Sequence, residues 1–378
     1  MPKLPKLGLG TDRQFRLLRL AVGVLVTLLM LAIITVMLFR AGNPVNEQVR
    51  KVGFIIPGEI SDPGWYSLQY QGIKKACESF GVQLLVQQNV KEGTGQSRKA
   101  LRSLARAGAQ FIYLGHHSYP AEVRDLVLQM PRLSFASSTS LGQTRNLTSY
   151  FVRLYQARYL AGALAALRSQ SGVLGYVAGE ESSAVNIGIN AFTLGAQRIN
   201  PDIQVKVAWT GDWDNTVREQ ELTRRLVEEN GADVVTYNQN EHWVAVAAEE
   251  LGVDYISYQE VLPFDSKHNL GAVMCRWELY YKDVVQRFLK GEVNAIKHRW
   301  LGIEDGVVWL EIVSPSVSAH QRQILGRMQL EILNQNFIFS GDIIDNKGVR
   351  HCSKNQTISD DALLERTDYL VAGARVID

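Results

Sequence analysis

The sequence is poor in cysteine and lacks the motifs that catalysis or metal binding requires. Among its 378 residues it has three cysteines, Cys77, Cys275 and Cys352, whose spacing matches no zinc-ligand pattern. They allow one disulfide with a thiol left over, or three small buried residues. There is no Gly-x-Ser-x-Gly elbow, and no acid/base pair is forced together by sequence spacing. We therefore expect a protein that is not an enzyme and that uses no metal or cofactor.

The chain also lacks excess positive charge beyond its N-terminus. The first forty residues hold six basic residues and one acidic residue, whereas the remainder holds 34 basic and 37 acidic residues. A nucleic-acid-binding protein normally carries a basic surplus on its binding domain. We expect no nucleic-acid partner.

One long apolar run is present. Residues 20–39 contain no charge and no polar group beyond Thr27 and Thr35, and about 20 such residues suffice to cross the hydrocarbon of a bilayer. Basic residues before the run predict a cytoplasmic N-terminus and an extracytoplasmic bulk. A cleaved signal peptide is the alternative, but the run is long and no A-x-A-like site follows it. No cysteine for lipid attachment follows it either, so we predict an uncleaved, single-pass signal anchor in the cell membrane.

Beyond residue 49, apolar strands alternate with helical segments. Strands separated by helices of 10–15 residues predict parallel sheets in an α/β fold. The rhythm restarts near residue 172, which predicts two similar lobes joined as a hinged clamshell. The expected segments are a basic N-terminus (1–19), the span (20–39), a linker (40–49), a first lobe (50–150), a second lobe (151–275), a return to the first lobe (276–335) and a C-terminal crossing segment and tail (336–378).

The stretch from Val52 to Trp65 is the predicted lip of a ligand cleft. An apolar strand ends at Pro57-Gly58, and a helix follows from Trp65. In open α/β sheets, ligands bind beyond the carboxyl ends of strands, where such a loop lies. The alternative is that Asp62 only caps the helix and Trp65 only packs.

Several motifs resemble those of one family, in that family's order. They are Gly58-Glu-Ile-Ser-Asp-Pro-Gly-Trp65, Tyr150–Gly162, Gly188–Ala196, Val205–Trp213, Gly306–Val308, Phe339–Gly348 and Ile358–Leu364. Together they resemble the basic membrane protein family of substrate-binding proteins, whose members serve the transport of purine nucleosides or related solutes. The resemblance implies a two-lobed type I periplasmic-binding-protein clamshell and an ABC permease as partner.

A nucleobase needs flat aromatic walls and a few in-plane polar groups. Trp65 and Trp213 are the candidate stacking walls, while Asp62 and Asn190 are candidates for bonding the ribose or the base edge. Interlobe packing is the alternative for the two tryptophans, helix capping for Asp62, and an internal hydrogen bond for Asn190.

Two histidines and a glutamine also follow predicted strands. His116 and His242 are expected to line the cleft; a zinc site at His116-His117 is the alternative, but no further ligand has metal spacing. Gln259 or Glu260 stands where the resembled family usually places an aspartate. An amide keeps hydrogen bonding but loses charge-assisted strength, which leaves open a ligand other than a nucleoside.

The predicted function is a membrane-anchored extracytoplasmic solute-binding protein of an ABC-type uptake system, with a purine-like or nucleoside-like ligand. A membrane-anchored ligand sensor without a transport role is the alternative.

Overall fold

The computed structural model describes residues 12–42, 49–61, 65–138, 144–260, 266–295, 298–335 and 337–377, in two compact units, Met1–Val49 and Arg50–Asp378. The first unit contains one helix, α1 (Asp12–Gly42). Over the described residues, no helix combines the length and apolarity needed to span a bilayer. The span at residues 20–39 therefore stays a prediction.

The second unit contains fifteen strands among its described residues. They are β1 (Lys51–Ile55), β2 (Gln83–Gln87), β3 (Phe111–Leu114), β4 (Ser134–Ser137), β5 (Leu147–Val152), β6 (Val173–Ala178), β7 (Gln204–Trp209), β8 (Val234–Asn238), β9 (Asp254–Tyr258), β10 (Asn269–Cys275), β11 (His298–Leu301), β12 (Val308–Ile312), β13 (Ile343–Ile344), β14 (Arg350–Cys352) and β15 (Ala374–Val376).

Its helices follow the same alternation. They are α2 (Trp65–Ser79), α3 (Gln96–Arg106), α4 (Tyr119–Gln129), α5 (Leu154–Arg168), α6 (Ser183–Ile199), α7 (Thr216–Arg224), α8 (Trp243–Leu251), α9 (Trp277–Leu289), α10 (Ala319–Asn334) and α11 (Asp360–Arg366). A π-helical turn (Arg225–Glu229) extends α7, and a 3₁₀ turn (Ile303–Asp305) precedes β12.

Two large sheets form the two lobes. The first sheet has the order β11-β5-β4-β3-β1-β2 and is parallel throughout. The second has the order β12-β10-β9-β8-β6-β7-β15, and only β12 runs antiparallel. The first five strands of each sheet share one order, with the first strand placed between the second and the third. The predicted duplication of two α/β lobes is present in this topology.

Helices cover both faces of the first sheet. On β1, Val52 and Phe54 belong to one buried cluster with residues of α2 and α9. Ile55, on the opposite face of the same strand, belongs to a second cluster with residues of α3 and α4. Because both faces are covered, the strand is apolar without alternation, as its sequence predicts.

The last third of the chain differs from the prediction. Within residues 276–335, α9 packs on α2 and β11 joins the first sheet, but β12 pairs with β10 in the second sheet and α10 packs on α5. The edge strand expected over residues 337–345 is reduced to β13, which pairs with β14. The strand that extends the second sheet is β15, which pairs with β7. Strand pairing between segments far apart in sequence decided these placements.

The crossings between the lobes are held by hydrogen bonds around Arg153. Its backbone N–H donates to the Leu301 carbonyl oxygen at 2.8 Å, which joins two crossing segments. Its guanidinium bonds Asp360 of α11 (Nη2–Oδ2, 2.7 Å) and Glu304 (Nη1–Oε1, 2.5 Å). The Arg276 N–H donates to the Val307 carbonyl at 2.7 Å at the remaining crossing. The crossing segments thus form one bonded hinge region.

Helices α5 and α6 cross at two glycines. A Cβ on Gly162 would overlap the carbonyl oxygen of Phe192, and a Cβ on Gly195 would overlap that of Tyr159. Each helix therefore places a glycine against the backbone of the other. Two side-chain-bearing residues at these positions would force the helices apart.

We expect Gly162→Ala to lower the free energy of unfolding by about 1–3 kcal/mol, because an added methyl group in a packed interior causes strain. Gly326→Ala is the matched control, since a Cβ added to this glycine of α10 would meet open space. The control should be neutral or up to about 1 kcal/mol more stable, because alanine favours helix. Urea unfolding of the two variants checks this; equal stabilities would contradict the close helix crossing.

Candidate functional site

The candidate site lies where the carboxyl ends of the two sheets approach each other. In each sheet the first strand lies between the second and the third, so the connections on its two sides run in opposite directions. Such topological switch points bind ligands in open α/β folds. Residues from both lobes meet here. The aromatic ring of Trp65, at the start of α2, faces that of Tyr258, at the end of β9.

Trp65 and Tyr258 form a near-parallel pair across the cleft. Their ring centroids are 6.5 Å apart, and the ring planes differ by 12°. Trp277 of α9 supports Trp65 edge-on, at 4.8 Å and 82°. Both Trp65 and Tyr258 are half-buried. Trp65 is thus placed at the lobe interface, as both the stacking and the packing interpretations require.

The buried guanidinium of Arg158 also lies over the Tyr258 ring, with its carbon 4.5 Å from the ring centroid. The same group lies 5.3 Å from the Tyr176 ring. It donates to the Tyr237 carbonyl (2.8 Å) and to Thr236 Oγ1 (3.2 Å). Arg158 is 2% exposed. A buried cation held by dipoles and aromatic faces fixes Tyr258 in place.

Gln259 follows Tyr258 in a strained backbone conformation. Its φ is +61°, a left-handed value that non-glycine residues rarely adopt. Its side chain is 7% exposed and lies beside the Tyr258 hydroxyl, whose pKa burial raises and the Gln259 amide partly lowers. Its Nε2 has no partner of good hydrogen-bond geometry among the described residues. Buried amide donors are nearly always paired. This donor, next to Tyr258 and on a strained backbone, makes Gln259 a candidate for bonding a ligand.

His116 lies at the end of β3 and is neutral at physiological pH. Its Nδ1 lies 2.9 Å from Ser118 Oγ, and its ring centroid lies 4.2 Å from that of His117, with the ring planes tilted by 38°. Burial, and then the charge of His117, lower the pKa of His116 to about 4, against the opposing effect of Glu92 and Glu122. Burial likewise lowers the pKa of His117.

Carboxylates from both lobes surround Tyr66, the neighbour of Trp65. Burial raises the pKa of its hydroxyl, and the charges of Glu92, Asp214 and Glu180 raise it further. Glu92 follows β2 in the first lobe, whereas Glu180 and Asp214 follow β6 and β7 in the second. The cleft beside Tyr66 is therefore electronegative.

Trp213 and His242 lie on second-lobe loops. The ring of Trp213 covers Gly179 at the end of β6, and its carbonyl accepts from the Asn240 N–H at 3.1 Å. His242 precedes α8, with Nδ1 3.6 Å from Glu260 Oε2 and its ring 5.9 Å from that of Trp243. Among the described residues, Trp213 makes no ring contact with Trp65, and the ring that faces Trp65 is that of Tyr258. The stacking role of Trp213 stays a prediction.

Asn190 does not serve the cleft, contrary to the prediction. It is fully buried, its Nδ2 donates to the Tyr369 carbonyl (3.0 Å), and its Oδ1 accepts from the Val371 N–H (2.9 Å). The amide binds the C-terminal segment that leads to β15, which sequence spacing alone does not place there. Asp62 lies outside the described residues, so its role stays a prediction.

Glu219 of α7 is a further buried group that the sequence did not single out. Its carboxyl oxygens are buried beside the Trp243 backbone N–H. Burial, followed by the charges of Glu241, Asp214 and Asp212, raises its pKa to about 8. Within the described ranges, no group of three or more His, Cys, Asp or Glu side chains is arranged to hold a metal ion.

Comparison with known proteins decides the family. The family model described as ABC transporter substrate-binding protein PnrA-like, Bmp, matches residues 49–341. The chain belongs to the Bmp family. This family consists of solute-binding proteins of ABC transporters, which agrees with a ligand cleft between two lobes.

Relatives of this Bmp family member carry different functional names. A purine-binding protein of Brucella abortus is 30% identical over 74% of this chain and 80% of its own length. The transcriptional activator protein Med of Bacillus subtilis is 25% identical over 78% of this chain and 93% of its own. A crystal structure of a transcriptional activator of the comK gene from Bacillus halodurans superposes with a TM-score of 0.67, at 19% identity, over 76% of this chain and 98% of that one. The fold is the type I periplasmic-binding fold, as predicted.

Tyr258 and Arg158 of this Bmp protein are candidate site residues that the sequence did not single out. Tyr258 directly precedes Gln259 at a strand end, so its position was available as a signal. Arg158 stands alone among small and apolar residues of α5, in Leu154-Tyr-Gln-Ala-Arg-Tyr-Leu-Ala-Gly162. A lone charge on a buried helix indicates an internal partner.

We expect His116 to titrate near pH 4 and to make the fold less stable in acid. Since its pKa is lowered on folding, its neutral form contributes stability that is complete above about pH 6.5 and is lost as the pH falls toward 4. NMR of the ring carbon-bound protons measures this pKa. His116→Gln should reduce the loss of stability between these pH values, and an NMR pKa above 6 would contradict the buried placement.

Proposed function

We propose that this protein is an extracytoplasmic solute-binding protein of an ABC-type uptake system that closes its lobes on a flat heterocycle, purine or nucleoside. The carrying observation is the near-parallel pair of Trp65 and Tyr258, which belong to different lobes. Their ring centroids are 6.5 Å apart. Two rings that sandwich a base would stand about 6.8 Å apart, twice the roughly 3.4 Å between stacked bases. A planar ring between them would contact both lobes at once, and contact with both lobes favours closure.

Polar groups that follow strands of the two sheets suit a neutral heterocycle. Gln259 Nε2 is a buried donor for a ring nitrogen or carbonyl, and neutral His116 offers a further donor or acceptor. The purine-binding relative in Brucella abortus supports this ligand class. Asp62, if it reaches the cleft, adds a carboxylate for an exocyclic amine or a ribose hydroxyl.

Trp65→Ala and Tyr258→Ala should each weaken the binding of adenine or adenosine by roughly tenfold to a hundredfold, since base stacking on an aromatic ring is worth about 1–3 kcal/mol. Trp65→Phe should restore most of the affinity because it keeps a ring. Isothermal titration calorimetry measures these affinities.

Phe80→Ala, just beyond the far end of α2, is the control and should bind like the unaltered protein. Unchanged affinity in both alanine variants would remove the stacking role. If the unaltered protein bound no nucleobase or nucleoside, the purine assignment would fall while the family assignment would stand.

We further propose that residues 20–39 anchor the protein in the cell membrane, with Arg50–Asp378 on the extracytoplasmic side. The support is the uninterrupted apolar run and the basic residues before it. An anchored binding unit would meet its permease at a high effective concentration.

The full chain should remain in the membrane fraction after a high-salt wash, whereas a chain beginning at residue 50 should be released. Exchanging Leu25 and Leu29 for lysine should release the full chain as well, because charge within the span opposes insertion. A soluble full chain would contradict the anchor, and a shortened product lacking residues 1–40 would indicate cleavage.

A ligand-sensing role is the second candidate. The relatives named as transcriptional activators favour it, because one of them is matched over 93% of its length. A sensor would keep ligand binding in the same cleft but would be dispensable for uptake. Uptake of labelled adenine in cells with and without the gene separates the two roles.

A further inference from the structure

Helices α3 and α4 present a basic face on the outside of the first lobe. We define the basic face by Lys99, Arg102, Arg106, Arg124 and Arg132, all exposed. Lys99, Arg102 and Arg106 are three or four residues apart and so share one side of α3. Within the described ranges, none of the five forms an ion pair. The second unit has no overall positive surplus, so this charge is concentrated locally.

The acidic groups of the same two helices are already engaged. Asp125 accepts two bonds from Arg98, at 2.5 and 2.7 Å. Glu122 accepts from Ser97 Oγ (2.5 Å), Ser118 Oγ (3.1 Å) and the Gly93 N–H (2.8 Å). These bonds join α3 to α4 and neutralise Asp125, which itself stays exposed. The cations of the basic face are left for an external anion.

An exposed leucine interrupts the basic face. Leu128 is 57% exposed and lies one turn beyond Arg124 on α4. Cationic side chains around a solvent-exposed apolar one are typical of helices that lie on a membrane surface.

The chain enters the second unit beside the basic face. Lys51 Nζ donates to the Ala107 carbonyl at 3.0 Å, directly after the last turn of α3. Ten residues, 40–49, separate the apolar run from Arg50, so the intervening chain reaches at most roughly 35 Å. If that run is anchored, a membrane surface is within reach of the basic face.

We propose that the basic face docks on the phosphates of anionic phospholipids, with Leu128 entering the interface. One guanidinium group can donate two parallel hydrogen bonds to the oxygens of a phosphate. Several Lys or Arg residues together are strongly attracted to an anionic leaflet. This contact would hold the first lobe on the bilayer and leave the second lobe to move. It does not depend on the identity of the solute.

The test uses residues 50–378, a compact unit that contains both sheets and the helices that cover them. Without its anchor or any solute, it should co-sediment with vesicles of phosphatidylglycerol and phosphatidylcholine in equal parts, but not with phosphatidylcholine alone. Binding should decline steeply with added salt, because salt screens exposed charges. Failure to bind the anionic vesicles would overturn the proposal and leave an acidic protein surface as the occupant.

Paired variants test the location of the contact. Arg102→Glu with Arg106→Glu should weaken vesicle binding about tenfold or more, since each basic residue near the surface contributes substantially. Arg327→Glu with Lys354→Glu is the control, with the same change in net charge at exposed positions elsewhere. Leu128→Ser should weaken binding severalfold without changing charge. Equal loss in the first pair and in the control would show attraction by net charge alone and would overturn the docking face.

Discussion

The facing of Trp65 and Tyr258 across the cleft is the arrangement on which the site depends. The two rings belong to different lobes, with centroids 6.5 Å apart, and the Arg158 guanidinium lies over the Tyr258 ring. Burying a guanidinium without a carboxylate partner is costly unless dipoles and aromatic faces replace its water. Arg158 is buried in this way beside Tyr258, a residue of the cleft wall. The aromatic pair and its cation therefore act as one unit, with Trp277 supporting the opposite side.

Closure of the lobes is linked to the hinge through the polypeptide that crosses between them. Arg153 joins one crossing segment to a second and to α11 of the C-terminal segment. Asn190 binds the end of that same segment beside the second lobe. A ligand that draws Trp65 toward Tyr258 must therefore act against a hydrogen-bonded hinge and not against a flexible linker. This arrangement favours a small number of discrete lobe positions.

Most of the fold could be predicted because its signals are local. The apolar runs at β1 and β6, and the helical spacing that follows each, predict βα units whatever the rest of the chain does. The positions of β11, β12 and β15 could not be predicted, because pairing between distant segments decides them. The position of Trp65 at the lobe interface could be inferred from its place after a strand, while its stacking role stays a prediction. Asn190 was misassigned because its partners, Tyr369 and Val371, are remote in sequence.

The central claim is that a flat heterocycle binds between Trp65 and Tyr258. A crystal structure of residues 50–378 grown with adenine tests it most directly. The account predicts a planar ligand between the two aromatic rings, with Gln259 Nε2 donating to it. Adenine bound elsewhere, with the two rings in direct contact and Gln259 still unpaired, would contradict it.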